Sequence, residues 1–457
     1  MSVYGILNSG RTGMAAHTYA TSVTAQNAEN SATVGYTRRM ARLENIAPNA
    51  GVRAEGSRRV IDPFLSQRML GGGSDAGYGT AKSSALGVLD EVLADAPGNL
   101  GERIGAFEGS LVEFSAYPAD PSARASVLQS AENLARAFND AADRLFAARA
   151  EINDRAVLEV SAVNEASARI ASLGKEIARA ELGGREASDL RDLRDQELQT
   201  LAERVPIDIY ENDRGGMTVL LAGSVALVDE DHMSYALETT VDPGTGDVSI
   251  QRRESGVLRD VGGMLTSGSI GGLLDARDGG LRDAQDRLDT LAFDLASAYN
   301  TAHSAGFGLD GANGRSLFEV GATAPGAAGR FAVSADVSGQ PDRLAAASAA
   351  TDIPGGNDAA LVLTGLAEAN LAGGSTPTGT FAALVGSAGA SLRAAADGAD
   401  AASAALDQVR ALRDNVSGVS TDEEMINLME LQRGYQATLR VIQTADEMLE
   451  GIINLKR

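Results

Sequence analysis

The chain of 457 residues contains no cysteine, which excludes disulfides, thiolate metal sites and cysteine nucleophiles. Its 62 acidic and 39 basic residues give a net charge of −23, which disfavours binding to nucleic-acid phosphates. Hydrophobic residues make up 44% of the chain but aromatic residues only 4%. This composition favours long, closely packed helices, and the length allows two or three domains.

The first predicted element is a weak helix over residues 3–34. Its apolar residues recur at helical spacing, though incompletely, and the clearest of them are Ile6, Leu7 and Met14. Three early glycines each cost about 1 kcal/mol relative to alanine in a helix. We therefore expect this helix to need a partner helix. Extended structure and a loop are predicted from there to residue 61.

The next stretch predicts the long helices of a helical body. The predicted ranges are 63–94 with an interruption at the glycine-rich segment 71–79, 99–115, 122–182 and 186–204. The helix over residues 122–182 contains no proline and would be about 90 Å long, with one break expected near Asn153. The glycine pair at residues 183–184 ends it.

At Pro206 the pattern changes to the alternation of short strands. Five strands are predicted, separated by turns of which residues 213–216 and 242–247 are the clearest. The mirrored order of elements predicts an elongated molecule with both chain ends at one pole and this antiparallel sheet at the other. We therefore expect a short linker in place of residues 207–258 to leave the helical body folded.

Helical patterns return after the predicted sheet. A helix is predicted from Gly271, strongest over residues 281–303, and is followed by a glycine-rich loop over residues 306–314. A short strand over residues 331–335, mixed helix with glycine-rich linkers, and a helix over residues 388–414 complete this part.

The last forty residues carry the clearest pattern in the chain. Residues at alternating spacings of three and four form a mostly apolar seam: Leu428, Leu431, Tyr435, Thr438, Ile442, Ala445, Leu449 and Ile452. A second row is formed by Val441, Met448 and Leu455. Thr421 and Glu424 match a capping box, and Lys456 and Arg457 complement the helix dipole at the end. This helix must pack lengthwise on another helix, from this chain or from another.

No pattern of catalytic or metal-ligating residues emerges. The three histidines, at positions 17, 232 and 303, are too far apart for a recognisable metal-ligand spacing. Residues 306–311 read GFGLDG and match the G-x-G-x-x-G pattern literally. A dinucleotide site needs a strand before this pattern and a helix after it, and the sequence predicts the opposite order. A nucleotide-dependent cytoplasmic enzyme that uses this loop is the alternative from another functional class.

The beginning of the sequence, MSVYGILNSGRTG, lacks the basic and apolar regions of a secretory signal peptide. No apolar stretch approaches the roughly 18 residues of a membrane span. From these patterns alone we expect a cytoplasmic protein, unless another export route exists.

Both ends of the chain resemble the flagellar axial proteins of the rod and hook family. Residues 26–38, QNAENSATVGYTR, are similar to the N-terminal box of that family, with matches at Asn27, Asn30, Thr33, Gly35, Tyr36, Thr37 and Arg38. Gln26, Ala32 and Val34 depart from the usual residues of the box. The C-terminal sequences RGYQA and VIQTADEML resemble the matching terminal box.

Four internal segments resemble the hook-associated junction branch of this family: residues 51–68, 186–205, 288–311 and 417–424. The resemblance implies a structural, non-enzymatic protein without cofactors that forms a homo-oligomer in the axial tube of the bacterial flagellum, between hook and filament. It implies hook protein, the second junction protein and an export chaperone as partners. It also implies secretion through the flagellar type III channel with an uncleaved signal. A hook or distal rod protein is the alternative within the family.

The expected architecture is mainly α with an inserted antiparallel β domain. Residues 1–40 with 415–457 would form a coiled-coil-like axial core of paired terminal helices that is poorly ordered in the free monomer. Residues 41–205 with 260–414 would form an elongated helical body, and residues 206–259 the β domain. We expect no nucleic-acid or membrane partner.

Overall fold

The computed structural model describes residues 3–47, 51–93, 99–212 and 216–454. Its helices are α1 Val3–Glu29, α2 Pro63–Leu86, α3 Val88–Leu93, α4 Leu100–Ala116, α5 Pro121–Ala180, α6 Ser188–Ala202, α7 Gly268–Asp275, α8 Arg282–Ala305, α9 Asp358–Gly365, α10 Pro377–Ser417 and α11 Thr421–Asn454. Its strands are β1 Arg39–Ala47, β2 Gly51–Arg59, β3 Ile207–Glu211, β4 Met217–Leu221, β5 Val225–Val228, β6 Leu237–Val241, β7 Val248–Glu254, β8 Val257–Asp260, β9 Phe318–Glu319 and β10 Ala332–Val333. The predicted fold class, mainly α with an antiparallel β insertion, is confirmed.

Helix α5 connects the two hydrophobic cores of the molecule. Asp120 caps its start by accepting a hydrogen bond from the Ser122 amide, and Gly184, at a φ of 77°, follows its end. The first half of α5 packs with α4 and α8 around an aromatic cluster that includes Phe107 and Tyr299. Its second half packs with α6 and strands β3 to β7.

Helix α5 does not break near Asn153, contrary to the sequence prediction. The Asn153 side chain is buried and bonds outward to other elements instead of disturbing its own helix. Its Oδ1 accepts hydrogen bonds from the Val248 amide (3.1 Å) and from Arg277 (2.7 Å), and its Nδ2 donates to the Gly246 carbonyl. The polar residue therefore anchors the turn before β7 to the helix.

Helix α2 is continuous, so the predicted interruption at residues 71–79 is wrong. The glycines allow close packing of α2 against its neighbours rather than ending it. A Cβ at Gly72 would lie 3.3 Å from Leu406 Cδ1, and one at Gly79 would lie 2.7 Å from Ala399 Cα, both in α10. The helix ends instead before Gly87. Residue 94, where the prediction ended the helix, lies outside the described residues.

The β insertion forms two three-stranded antiparallel sheets, with the orders β3–β4–β5 and β6–β7–β8. Five strands and a single sheet were predicted, and the missed strand is β8, in which every residue is exposed. It therefore lacks the alternation of buried and exposed residues that marks a strand in sequence. The predicted turn at 213–216 lies largely outside the described residues.

The insertion does not lie at the pole opposite the chain ends. Ile209 of β3 and Met217 of β4 line one cavity together with Thr37 and Ser417, which belong to the predicted terminal core of residues 1–40 with 415–457. The insertion also shares its core with the helices, because the fully buried Val219 lies in the same cluster as Val163 of α5. This shared core argues against replacing residues 207–258 with a linker without damage to the helical body.

Candidate functional site at the meeting of the chain ends

Helices α1 and α11 pack antiparallel, so the seam of the last helix finds its partner in the same chain. Glycines on both helices let side chains of the partner helix pack against the backbone. A Cβ at Gly10 would lie 2.5 Å from Ile442 Cγ1, and one at Gly13 would lie 3.3 Å from Thr438 Cγ2. On the other helix, a Cβ at Gly434 would lie 2.6 Å from His17 Cε1. The residue numbers on α1 rise as those on α11 fall, which fixes the direction and register of the pair.

The predicted seam of α11 is only partly covered by α1. Its members that are partly buried are Leu428, Leu431, Tyr435, Thr438, Ile442 and Leu449, whereas Ile452 is 54% exposed. In α11, only Glu424 and Ala445 are buried. Val441 and Met448, the second row, are about half exposed, and Leu455, Lys456 and Arg457 lie outside the described residues.

On α1, the predicted interface residues Ile6, Leu7 and Met14 are partly buried. The buried positions are mostly small residues: Gly10, Ala16, Ala20, Val23, Thr24 and Asn27. Of these, the predicted apolar stripe included only Ala20 and Val23. Small residues let two helix backbones approach closely, which explains why this helix carries glycines that weaken it in isolation. From Ala16 to Asn27, the helical spacing of these positions was the signal that could have identified this face.

Asn27 belongs to the family motif in residues 26–38 and is 1% exposed. Its Oδ1 accepts hydrogen bonds from the Tyr36 hydroxyl (2.9 Å) and the Arg39 amide (3.0 Å). Its Nδ2 donates to the Arg39 carbonyl (2.8 Å) and to Glu424 Oε2 (3.2 Å). One side chain thus joins α1, the start of β1 and the start of α11. Burial raises the pKa of Tyr36, which keeps its hydroxyl protonated as the donor.

Glu424 is a buried carboxylate and not the capping-box residue that the sequence predicted. Its Oε1 accepts a hydrogen bond from Arg38 Nε (2.8 Å), and Arg38 Nη1 reaches Glu423 (3.0 Å). Ser420 Oγ, rather than Thr421, accepts the Glu423 amide hydrogen at the helix start (3.4 Å). The mistaken assignment arose because a Thr-x-x-Glu spacing is equally compatible with a glutamate that turns to a distant partner.

The remaining motif residues shape the turn between α1 and β1. Gly35 has a φ of 80°, and a Cβ there would overlap the Gln196 side chain, whose Nε2 donates to the Val34 carbonyl (2.9 Å). Asn30 Nδ2 donates to the Gln26 carbonyl, and Thr33 Oγ1 donates to Asn30 Oδ1 at the surface. A side chain at Gly35 would be strained by the positive φ and would displace the Gln196 side chain.

Two arginines missed by the sequence analysis fasten the β1–β2 hairpin to α6. Arg39 Nη2 contacts Asp189 (2.5 Å) and Asp192 (3.2 Å). Arg59 Nη1 contacts Asp192 (2.9 Å) and Asp195 (2.7 Å), and the Arg59 side chain is 3% exposed. Burial acts to lower the pKa of Arg59, but these carboxylates hold it above its ordinary value. Buried ion pairs with several hydrogen bonds fix geometry, so the terminal helices are held to the helical body at a defined angle.

Residues 299–303 (Tyr-Asn-Thr-Ala-His) and the following GFGLDG segment are held in place by buried hydrogen bonds to other parts of the chain. Asn300 Oδ1 accepts the amide hydrogens of Leu317 and Phe318 at 2.8 Å each. His303 is 1% exposed, and its Nε2 accepts the Ala345 amide hydrogen (3.0 Å), so Nδ1 carries the proton and donates to the Arg315 carbonyl (2.8 Å). The GFGLDG segment is followed by turn and coil rather than by a helix. It therefore lacks the helix start that holds a pyrophosphate.

This arrangement predicts that the protein loses stability in mild acid. Burial holds the pKa of His303 below its ordinary value, so the unfolded chain takes up the proton first as pH falls. The contribution is complete above about pH 6.5 and is lost below it, with a slope of at most about 1.4 kcal/mol per pH unit. Urea unfolding between pH 5 and pH 8 should show this slope.

Two histidine variants identify the source of the slope. The pKa of His232 is also lowered, chiefly by burial, so both residues act in the same direction. His303→Gln should reduce the slope, and His232→Gln should reduce it further. A slope that His303→Gln leaves unchanged would refute the role given to this histidine.

Among the described residues, no group of His, Asp and Glu has the arrangement of a metal site. The same part of the chain contains no helix that is long and apolar enough to cross a membrane.

Comparison with known proteins extends over the whole chain. The family model of the flagellar hook-associated protein FlgK helical domain matches residues 86–318, and that of the flagellar basal body rod FlgEFG protein C-terminal region matches residues 413–455. The flagellar hook-associated protein 1 of Bacillus subtilis (strain 168) is 28% identical, over 98% of this chain and 97% of that protein.

Two further relatives match over part of their length. The protein of the same name from Salmonella typhimurium is 26% identical, over 69% of this chain and 59% of that protein. The flagellar hook junction protein FlgK from Burkholderia pseudomallei has a solved structure with a TM-score of 0.51 and 26% identity, covering 56% of this chain and 47% of that one. Because the helical-domain model covers more than half of its residues, the chain belongs to the flagellar hook-associated protein FlgK family, the structural proteins of the hook–filament junction.

Proposed function

We propose that this flagellar protein assembles into the hook–filament junction by packing its paired helices α1 and α11 against neighbouring subunits. The observation that carries the proposal is the incomplete burial of α11. After α1 has covered one face, the helix still exposes two groups of large apolar side chains, each residue 48–58% exposed: Met425 and Met429 near its start, and Val441, Met448 and Ile452 towards its end. Exposed apolar side chains along a long helix are typical of a surface that another subunit covers.

The motif residues have a separate role in this proposal. Asn27, Arg38 and Glu424 hold α1 and α11 together and tie them to the rest of the chain. They would present the exposed apolar side chains of α11 at a fixed angle to a neighbouring subunit, because buried hydrogen bonds restrict the joint. The proposed partners are further copies of this chain, the hook protein and the second junction protein. The proposed route is flagellar type III export, assisted by a chaperone and without cleavage of a signal.

A double substitution at Val441 and Met448 tests the proposal. Val441→Asp with Met448→Asp places two charges on the exposed face, where they cost little in the free monomer but would be buried without partners in an assembly. We expect monomers with unchanged helical content and unfolding free energy, and cells whose hooks lack filaments. Circular dichroism of the purified protein and electron microscopy of complemented cells measure the two effects.

The matched control is Gln443→Asp, which adds a charge at an exposed polar position of the same helix. It should leave filaments in place. Ile442 is a poorer site for this test, because it contacts Gly10 within the chain and a charge there would also disturb the α1–α11 pair. Full-length filaments on cells with the double variant would refute assembly through this face.

A further inference from the structure

The two sheets of the β insertion are joined by the loop between β5 and β6, residues 229–236. Asp229 organises this loop as a compact turn. Its Oδ1 accepts the amide hydrogens of Asp231 (3.1 Å) and Met233 (2.8 Å), and its Oδ2 accepts the hydroxyl hydrogen of Tyr235 (2.7 Å). The turn is therefore held together by hydrogen bonds of its own.

His232 connects the loop to helix α5. Its φ of 59° lies in the left-handed region, which costs free energy for a residue with a side chain. The imidazole ring lies against the backbone of Gly174, a buried position of α5. A Cβ at Gly174 would overlap Nδ1 of the ring and would lie 2.9 Å from its Cε1. Among the described residues the ring makes no hydrogen bond, so packing against this glycine holds it in place.

The surroundings of the ring oppose its protonation while the loop is docked. Burial lowers the pKa of His232, and the cations Arg194 of α6 and Lys175 of α5 lower it further. Asp229 and Asp231 of the loop itself act in the opposite direction and do not outweigh these effects. A proton on the ring is therefore more costly in the docked loop than in water.

The contacts on either side of the ring do not depend on its charge. Asn164 of α5 binds Leu237 at the start of β6, because its Nδ2 donates to the carbonyl (2.9 Å) and its Oδ1 accepts the amide hydrogen (2.7 Å). Glu230 accepts a hydrogen bond from Asn212 (3.2 Å). Burial acts to raise the pKa of Asp229, but the hydrogen bonds that it accepts hold it below its ordinary value. The turn around Asp229 therefore stays intact in mild acid.

We propose that His232 is a pH-sensitive latch: the neutral ring docks the β5–β6 loop on Gly174 of α5, and protonation of the ring releases the loop. Docking is complete above about pH 6.5, the ordinary value for histidine, and is lost as pH falls through the lowered pKa of the docked ring. Because one proton is taken up, the ratio of released to docked loop rises by at most about tenfold for each pH unit. Release changes the surface of the β insertion, since Met233 and Tyr235 move with the loop.

Spin labels on the full chain measure the position of the loop. The chain has no cysteine, so Ser172→Cys on α5 and Met233→Cys on the loop, both exposed, can be labelled selectively. Double electron–electron resonance should give one narrow distance distribution at pH 7.5. A second, longer distance should grow below about pH 6.5 and disappear when the pH is restored. Circular dichroism should show unchanged helical content over the same range.

Four variants identify the latch. His232→Phe keeps a ring that cannot be protonated, so the loop should stay docked at every pH. Gly174→Ala places a methyl group where the ring lies, so the loop should be released already at pH 7.5. Gly109→Ala is the matched control, because the new Cβ in α4 has no heavy atom within 4 Å, and it should behave as the wild type. His303→Gln should also leave the distances unchanged, which separates release of the loop from the overall loss of stability in acid.

A distance distribution that stays the same between pH 7.5 and pH 5, or a change that persists in His232→Phe, would overturn the proposal. A loop that remains docked in Gly174→Ala would overturn it as well, because the ring could not occupy its place there. None of these measurements depends on the proposed assembly through α11.

Discussion

Replacing Gly77 with alanine is expected to destabilise the helical body by about 2–3 kcal/mol. A Cβ at Gly77 would overlap the carbonyl oxygen of Glu203 and lie 3.3 Å from the Ser269 amide nitrogen. That carbonyl accepts the Ser269 amide hydrogen at 2.9 Å, so moving it aside would also strain the connection into α7. A backbone atom has less freedom to retreat than the end of a side chain. Urea unfolding followed by circular dichroism measures the loss.

The matched control is alanine at Gly71, in the same helix. A Cβ there has no heavy atom within 4 Å, and the residue is exposed. Alanine is favoured over glycine in a helix interior by up to about 1 kcal/mol, so Gly71→Ala should stabilise the protein. The two substitutions are identical in chemistry and differ only in what lies opposite. Equal effects of the two would contradict the close packing of α2.

Replacing Asn27 with alanine is expected to loosen the joint between α1, β1 and α11 by about 3–4 kcal/mol, because several buried polar groups lose their partner at once. The Tyr36 hydroxyl, the Arg39 amide and carbonyl, and Glu424 all bond to this side chain. The effect should be local. We expect faster amide hydrogen exchange in α1 and at the start of α11, and nearly unchanged exchange in α5.

Asn30→Ala is the control within the same motif. The Asn30 side chain makes its hydrogen bonds at the surface, to Gln26 and Thr33, and their loss should cost less than about 1 kcal/mol. Both asparagines match the family pattern equally well, so resemblance does not distinguish them. Exchange rates in α1 that respond equally to the two variants would contradict the central position of Asn27.

What the sequence could predict depended on how local each signal was. The pattern over residues 122–182 predicted a long helix, and the helix is there, without the break expected near Asn153, because its cap, stripe and terminating glycine are all local. The alternation after Pro206 predicted strands for the same reason. Glycines were the main source of error, because Gly77 and Gly87 look alike in sequence although only the second follows the end of a helix. What distinguishes Gly77 is its close packing against the Glu203 carbonyl, more than a hundred residues away in the sequence.

The candidate site shows the same limit. The spacing of Ile442 and its neighbours predicted a helix that packs lengthwise, and the resemblance marked Asn27 as part of a motif. The resemblance also implied that the terminal helices pair, but neither signal predicted the register of the pair or the hydrogen bonds of Asn27. The register of the two helices follows from which side chain packs against which glycine, for example Ile442 against Gly10. Glu424 was misassigned because its actual partners, Arg38 and Asn27, lie almost four hundred residues away in the sequence.

Engineered cysteines test most directly whether α1 pairs with α11 inside one chain. The chain has no cysteine of its own, so Gly13→Cys with Thr438→Cys introduces one possible disulfide, between positions that face each other across the two helices. Gly13→Cys with Thr444→Cys is the control, since Thr444 is exposed. In dilute purified protein under mild oxidation, we expect the first pair to form a disulfide within the monomer and the control pair to remain reduced. A disulfide that forms only between chains, or equally fast in both variants, would contradict the pairing.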